Sequence, residues 1–217
     1  MIGTLPAVVL VGILAAVAIA AARPRFAAPI AATAAAAAFC MVASGIPLTA
    51  AGGFIVSQFW SAPSLGVVGG LKLDGLALVF ALLISGIGAL VFLYAGQYMK
   101  GDPKLRRLMI ILAIFMTAML GAVLADDVIL LFVFWEITSV ASFLLVGLDS
   151  ANPNARKSAL KALLVTGGGG LALLAGLVLV SIAAGTTSLT GVILAREAVL
   201  AHPAAMPAML LIVVGCF

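Results

Sequence analysis

From Gly75 to Tyr98 the chain carries no charged side chain at all. That is longer than the about twenty apolar residues needed to cross a hydrocarbon layer ~30 Å thick. Runs of similar length recur along the chain, and none alternates polar and apolar positions as a barrel strand would. In lipid every backbone polar group has to find its partner inside the segment, so helices are the solution open to such runs. Composition agrees: 65% of residues are apolar and 8% charged, against roughly 45–50% and about 25% in soluble domains. The expected fold class is therefore all-α, a polytopic transmembrane helix bundle.

Six complete spans are expected, over about Gly3–Ala22, Phe26–Gly45, Gly75–Tyr98, Leu105–Ala125, Asp127–Leu148 and Arg156–Ala184. The start of a seventh follows from Ala204, and the chain reaches Phe217 before a full crossing is made. Between the second and third spans, Ile46–Asp74 is polar to mixed and reads as a long loop, with Trp60 as an interface anchor. Basic residues set the orientation. Arg23, Arg25, Lys100, Lys104, Arg106, Arg107, Arg156, Lys157 and Lys161 fall on one side, and only Lys72 and Arg196 on the other. The positive-inside rule places the first set in the cytoplasm and the N-terminus outside.

The net charge of +4 thus reports topology, because the cations sit in short loops between apolar runs, and no nucleic-acid partner is implied. Cys40 and Cys216 lie in apolar stretches with no CxxC or Cys/His spacing, so neither a disulfide frame nor a metal site is expected.

Within the fifth span Glu136 stands alone as a carboxylate among apolar residues. It lies about nine residues past Asp127, a depth of roughly 13 Å at ~1.5 Å per residue, near mid-membrane. An acid there costs about 3 kcal/mol on insertion scales, and intramembrane ionisable residues are functional sites by default. Burial favours a neutral carboxyl and a nearby cation favours a charged one, so such a group can take up and release a proton as its surroundings change. The alternative is a permanently protonated Glu136 hydrogen-bonded between helices.

Ser139, one turn on, can offer Glu136 a hydroxyl on the same helix face. Lys161, about one turn inside the sixth span, either snorkels to the interface or turns inward as a relay partner. Asp126 and Asp127 stand where carboxylates cap a helix N-terminus, with a cation-attracting vestibule as the other reading. Lys72 and Asp74 read as an anchor and a cap. The glycine run Gly167–Gly170 has no Lys-Ser/Thr after it and no strand before it, so it is not a phosphate loop; close helix packing explains it better than a bend. His202, beside Pro203, reads as a surface residue.

The run Leu131-Phe132-Val133-Phe134-Trp135-Glu136-Ile137-Thr138-Ser139, with Ser142-Phe143-Leu144-Leu145-Val146-Gly147, resembles the fifth-helix signature of the antiporter-like subunits. That family is shared by Mrp-type cation/proton antiporters and respiratory complex I. Leu73–Leu78 and Tyr94–Met99 are similar to the ends of its third helix, and Lys161–Thr166 to the start of its sixth. The wording around Ala125-Asp126-Asp127 and after Lys161 is most similar to the N-terminal part of the large A subunits of Mrp antiporters. The similarity is strong over about Leu71–Leu179.

The resemblance implies that Glu136 is the fifth-helix glutamate of a proton half-channel, with Lys161 as a further relay candidate. It implies a secondary transporter subunit, not an enzyme, that works with the other subunits of a hetero-oligomeric complex in a bacterial cell membrane and moves H⁺ and Na⁺. No cofactor and no metal are expected. The family's partner lysine belongs to a broken seventh helix, beyond Phe217. Residues 1–217 are therefore expected to be one transmembrane domain, the N-terminal fragment of a longer subunit. The alternative is a membrane-arm proton-pumping subunit of a complex I-like or hydrogenase-linked oxidoreductase. No flavin, haem or iron–sulfur motif is legible, so the redox centre would lie on another chain.

Overall fold

In the computed structural model, which describes residues 4–62, 67–149 and 151–216, the apolar runs fold as helices. Of Thr4, 59–62, 67 and 68 only the backbone is described. The expectations that touch Gly3, the Trp60 side chain, Ser150 and Phe217 lie outside these residues. The helices are α1 (Thr4–Ala21), α2 (Ala27–Ala43), α3 (Ile46–Ala50), α4 (Gly75–Tyr98), α5 (Leu105–Leu124), α6 (Val128–Val146), α7 (Pro153–Ala184), α8 (Leu189–Leu194), α9 (Arg196–Ala201) and α10 (Ala205–Cys216). Five stretches are long and apolar enough to cross a membrane: Pro24–Ala50 and α4 to α7. Leu5–Ala21 and Ala205–Cys216 are apolar but shorter. The chain is a helical, multi-pass membrane protein.

Side-chain size explains how the helices pack. Ala27, Ala31, Ala35, Ala38 and Val42 form one buried stripe of α2 at helical spacing. Small residues let backbones approach closely, which matters in lipid because there is little hydrophobic drive between helices. With this stripe α2 packs against α4 and α1, while α5 closes the group by packing on both α1 and α4. Buried side chains from Leu105 to Leu124 spread around α5, so that helix lies at the centre. From its other side a layer extends, α5 against α6, α6 against α7, and α7 against α10.

The expected Ile46–Asp74 loop is instead α3 followed by a hairpin of β1 (Ile55–Ala62) and β2 (Val67–Leu73), antiparallel, with Ile55 opposite Leu73 and a bulge between Gln58 and Trp60. Its period of two is visible in burial: Ile55, Ser57, Leu71 and Leu73 are buried and alternate with half-buried Val56 and Lys72. Interruption by Gly69-Gly70 hides that alternation from a reading of the sequence.

The two ends of the bundle differ in charge. At one end Arg25 and Lys100 line a shared cleft, and Lys104 reaches Asp149 at 2.8 Å, joining the α4–α5 and α6–α7 connections. The other end holds the hairpin, the start of α6 and the segment after α7; Leu71 bridges to Ala125 and Asp127 to Ser188.

Candidate functional site

The side chain of Glu136 leaves α6 toward α7 and is half-buried. Its Oε1 is buried and meets no hydrogen-bond donor among the described residues. On α7 the position it faces is Gly170: a methyl group placed there would fall on Oε1 and lie 3.3 Å from the carboxyl carbon. The carboxyl therefore occupies the space that a glycine leaves on its neighbour. A buried unpaired acceptor costs about 1–3 kcal/mol, more when charged. A group held in that way has room in its bonding for a further hydrogen-bond donor.

Beside it opens a cleft of ≈ 340 Å³ between α5, α6, α7 and α10. Its polar lining comes from Thr138, Ser139 and Ser142 of α6, Thr166 of α7 and the thiol of Cys216. At ~30 Å³ per molecule the volume admits several waters, and the hydroxyls supply partners for them. Three of these four hydroxyls are already engaged with the backbone, Thr166 by donating to the Ala162 carbonyl at 2.9 Å. Thr138 donates to the Trp135 carbonyl at 2.6 Å, and Ser139 donates to the same oxygen at 3.3 Å. The expected bond from Ser139 to Glu136 is thus replaced by one to Trp135, because a serine in a helix reaches the carbonyl four residues back more readily than a side chain three residues back.

Lys161 is exposed and forms no ion pair among the described residues. It precedes Gly170 by nine positions on an unbroken helix, which is about 13 Å along the axis. The structure does not bring Lys161 to Glu136.

The glycine run divides by contact. Gly167 and Gly168 face open space, Gly169 approaches the Gly215 carbonyl of α10, and Gly170 faces Glu136. The run does not break α7, which continues from Pro153 to Ala184 and ends at Gly185, whose φ of 70° is left-handed.

Asp126 and Asp127 form a second polar cluster whose partners the sequence reading missed. Asp127 is 1% exposed and caps α6, accepting from Ile129 N at 2.9 Å and Leu130 N at 3.0 Å. Its other oxygen accepts the hydroxyl of Thr187. Asp126 accepts from Ser188 Oγ at 3.0 Å and from Thr190 through both its Oγ1, at 2.6 Å, and its N–H, at 3.1 Å. Lys72 donates to the same Thr190 hydroxyl at 3.2 Å and lies 3.6 Å from Asp74, which caps α4 through Ala77 N. Every carboxylate oxygen of the acid pair has a donor, so the pair ties the segment after α7 to the start of α6. The available signal was Thr186-Thr187-Ser188-Leu189-Thr190, four hydroxyls in five residues immediately after Gly185.

Residues 125–217 match the family model described as NADH:quinone oxidoreductase/Mrp antiporter, transmembrane, and residues 60–109 match that of the N-terminus of chain 5 of NADH-ubiquinone oxidoreductase (complex I). The chain is 40% identical over 173 residues to the A subunit of the Na⁺/H⁺ antiporter of Alkalihalophilus pseudofirmus, covering 79% of this chain and 22% of that protein. It is 40% identical over 165 residues to mnhA2 of Staphylococcus epidermidis, named as one of the putative antiporter subunits, covering 76% and 21%. It is also 39% identical over 177 residues to the A/B subunit of a probable K⁺/H⁺ antiporter of Rhizobium meliloti, covering 82% and 18%. The chain thus spans about a fifth of the length of these curated relatives. Among solved structures, a chain of the Mrp complex from Dietzia sp. superposes with a TM-score of 0.81 at 32% identity, over 99% of this chain and 23% of that one. A chain of an archaeal membrane-bound sulfane sulfur reductase shares the fold, with a TM-score of 0.80 at 18% identity over 97% of this chain and 43% of that one. The α6 signature, both family models and the relatives among the large antiporter subunits agree, and the chain belongs to the antiporter-like family of Mrp antiporters and complex I, on the Mrp side of it.

Proposed function

We propose that this chain is part of the large, proton-translocating subunit of a multisubunit Na⁺(cation)/H⁺ antiporter in a bacterial cell membrane. Glu136 is its proton-binding group. The observation that carries the reading is Oε1 of Glu136, buried without a donor among the described residues at the α6–α7 seam beside a hydroxyl-lined cleft. An acid there takes its proton from water in the cleft and returns it when the surroundings change, which is the elementary step of a relay. The antiporter relatives at about 40% identity favour cation exchange over a redox-driven pump.

The bundle ends support six spans, the start of a seventh and an N-terminus outside, since the basic connections gather at one end and the hairpin caps the other. Residues 1–217 then form a single transmembrane unit that works with the other subunits of the complex. Lys161 serves as the cytoplasmic-side cation of the pathway, reaching Glu136 only through intervening water.

Na⁺-dependent collapse of ΔpH in membrane vesicles tests the reading. Glu136→Gln should lower the rate by about a hundred-fold or more at equal amounts of assembled complex. Undiminished exchange would remove Glu136 from the pathway.

A further inference from the structure

We infer that Gly170 is a positioning residue for Glu136: the missing side chain on α7 is the seat of the carboxyl, and it decides where the proton is held. The inference rests on the reading of Glu136 as the relay group.

Three observations converge on it. A Cβ at Gly170 would clash with Glu136 Oε1, whereas the next side chain, the indole Cδ1 of Trp135, stays at an ordinary 3.7 Å, so the slot is taken up by the glutamate. The carboxyl oxygen in the slot is buried and meets no donor among the described residues, so its place is set by the space that Gly170 leaves. Two residues away on the same helix, Gly168 has nothing within 4 Å of its would-be Cβ, so the helix itself does not require glycine throughout the run.

The nature of the colliding atom sets the consequence. Oε1 is the far end of a flexible side chain, whereas the groups that a Cβ on Gly176 or Gly215 would meet include backbone. Alanine at position 170 therefore leaves α6 and α7 in place and turns Glu136 out of the seam, toward the cleft that holds Thr138 and Thr166. The proton-binding oxygen moves by more than a bond length, and transfer between groups set for a fixed separation is lost.

The test uses the complete antiporter complex in membrane vesicles, with assembly measured by blot. Gly168→Ala should exchange within about two-fold of the wild type and Gly170→Ala about ten-fold or more slower. Glu136→Asp combined with Gly170→Ala should recover several-fold of that loss, because the shorter acid fits beside the added methyl group. The carboxyl C=O band assigned by Glu136→Gln in infrared difference spectra should shift in Gly170→Ala and stay in Gly168→Ala.

A wild-type rate with an unmoved band in Gly170→Ala overturns the inference, and so does a slow rate with an unmoved band. Where Gly170→Ala fails to assemble, Glu136→Ala/Gly170→Ala decides: restored assembly places the collision at the carboxyl, and continued failure places it elsewhere and overturns the inference. Loss of the relay reading looks different, since Glu136→Gln would then exchange normally while the band shift still reports on the seat.

Discussion

Thr187 donates its hydroxyl to Asp127, a contact made across 60 positions of sequence that joins the end of α7 to the start of α6. Asp127 is at once the cap of a helix and the acceptor for a distant loop, and it is 1% exposed. Removing it strands the N–H groups of Ile129 and Leu130 and breaks the bond that ties Thr187 to α6.

Asp127→Ala should therefore destabilise by about 2 kcal/mol or more, from the lost cap and the donors left unpaired. Asp127→Asn keeps an acceptor oxygen and should cost about 1 kcal/mol. Thermal unfolding of the purified complex in detergent measures both. A change under about 0.5 kcal/mol in Asp127→Ala would show that the junction does not hold this end together.

Asp126 and Thr190 share two hydrogen bonds, one through the hydroxyl and one through the backbone N–H. A double-mutant cycle with Asp126→Ala and Thr190→Val isolates the hydroxyl part. Its coupling energy should be about 1.5–3 kcal/mol, the range for a hydrogen bond to a charged group. Strict additivity of the two changes would contradict the geometry.

Lys104 and Asp149 face water, 46% and 54% exposed, and meet at 2.8 Å. The hydrogen bond to the Asp149 carboxylate, and then its charge, hold the Lys104 ammonium above the usual lysine range. A raised folded-state value means that the stabilisation is complete below the ordinary lysine pKa and fades as pH rises through the folded-state value. The midpoint difference between wild type and Lys104→Met should be constant near neutrality, close at strongly alkaline pH, and shrink in high salt. A gap unchanged by alkali and by salt would point to packing of the lysine stem instead.

Gly176 and Gly215 set the contact between α7 and α10: a Cβ at Gly176 would lie 2.8 Å from the Ala208 carbonyl oxygen, and one at Gly215 2.7 Å from Leu173 Cα. Because both obstacles are backbone, Gly176→Ala should push the helices apart and cost about 1–3 kcal/mol. Gly168→Ala, with open space around it, should be neutral or gain up to about 1 kcal/mol from helix propensity. Equal unfolding midpoints for the two variants would refute this division of the glycines.

Much of the site was legible from side-chain chemistry alone. Glu136 stands out because one carboxylate in an apolar run is costly wherever the helix packs, and Asp74 and Asp127 were readable as caps because capping is local. Ser139 misled because a serine in a helix chooses between its own backbone and a neighbouring side chain, and spacing does not say which. The hairpin went unread for a related reason: two glycines blurred a period of two that only burial against the bundle reveals. The partners of Asp126, from Ser188 to Thr190, lie more than sixty residues away, and nothing local announces them.

By itself, then, the sequence determined that this chain is a bundle of apolar helices with one acid midway along α6, because hydrocarbon leaves a long uncharged segment no other way to satisfy its backbone. It also marked the basic end, since Lys and Arg gather in the connections on one side of the apolar runs. Which of four consecutive glycines meets a neighbouring side chain was decided by the tertiary structure alone. Helix propensity treats Gly167 to Gly170 alike; only the crossing of α6 over α7 places a carboxyl at Gly170 and empty space at Gly168.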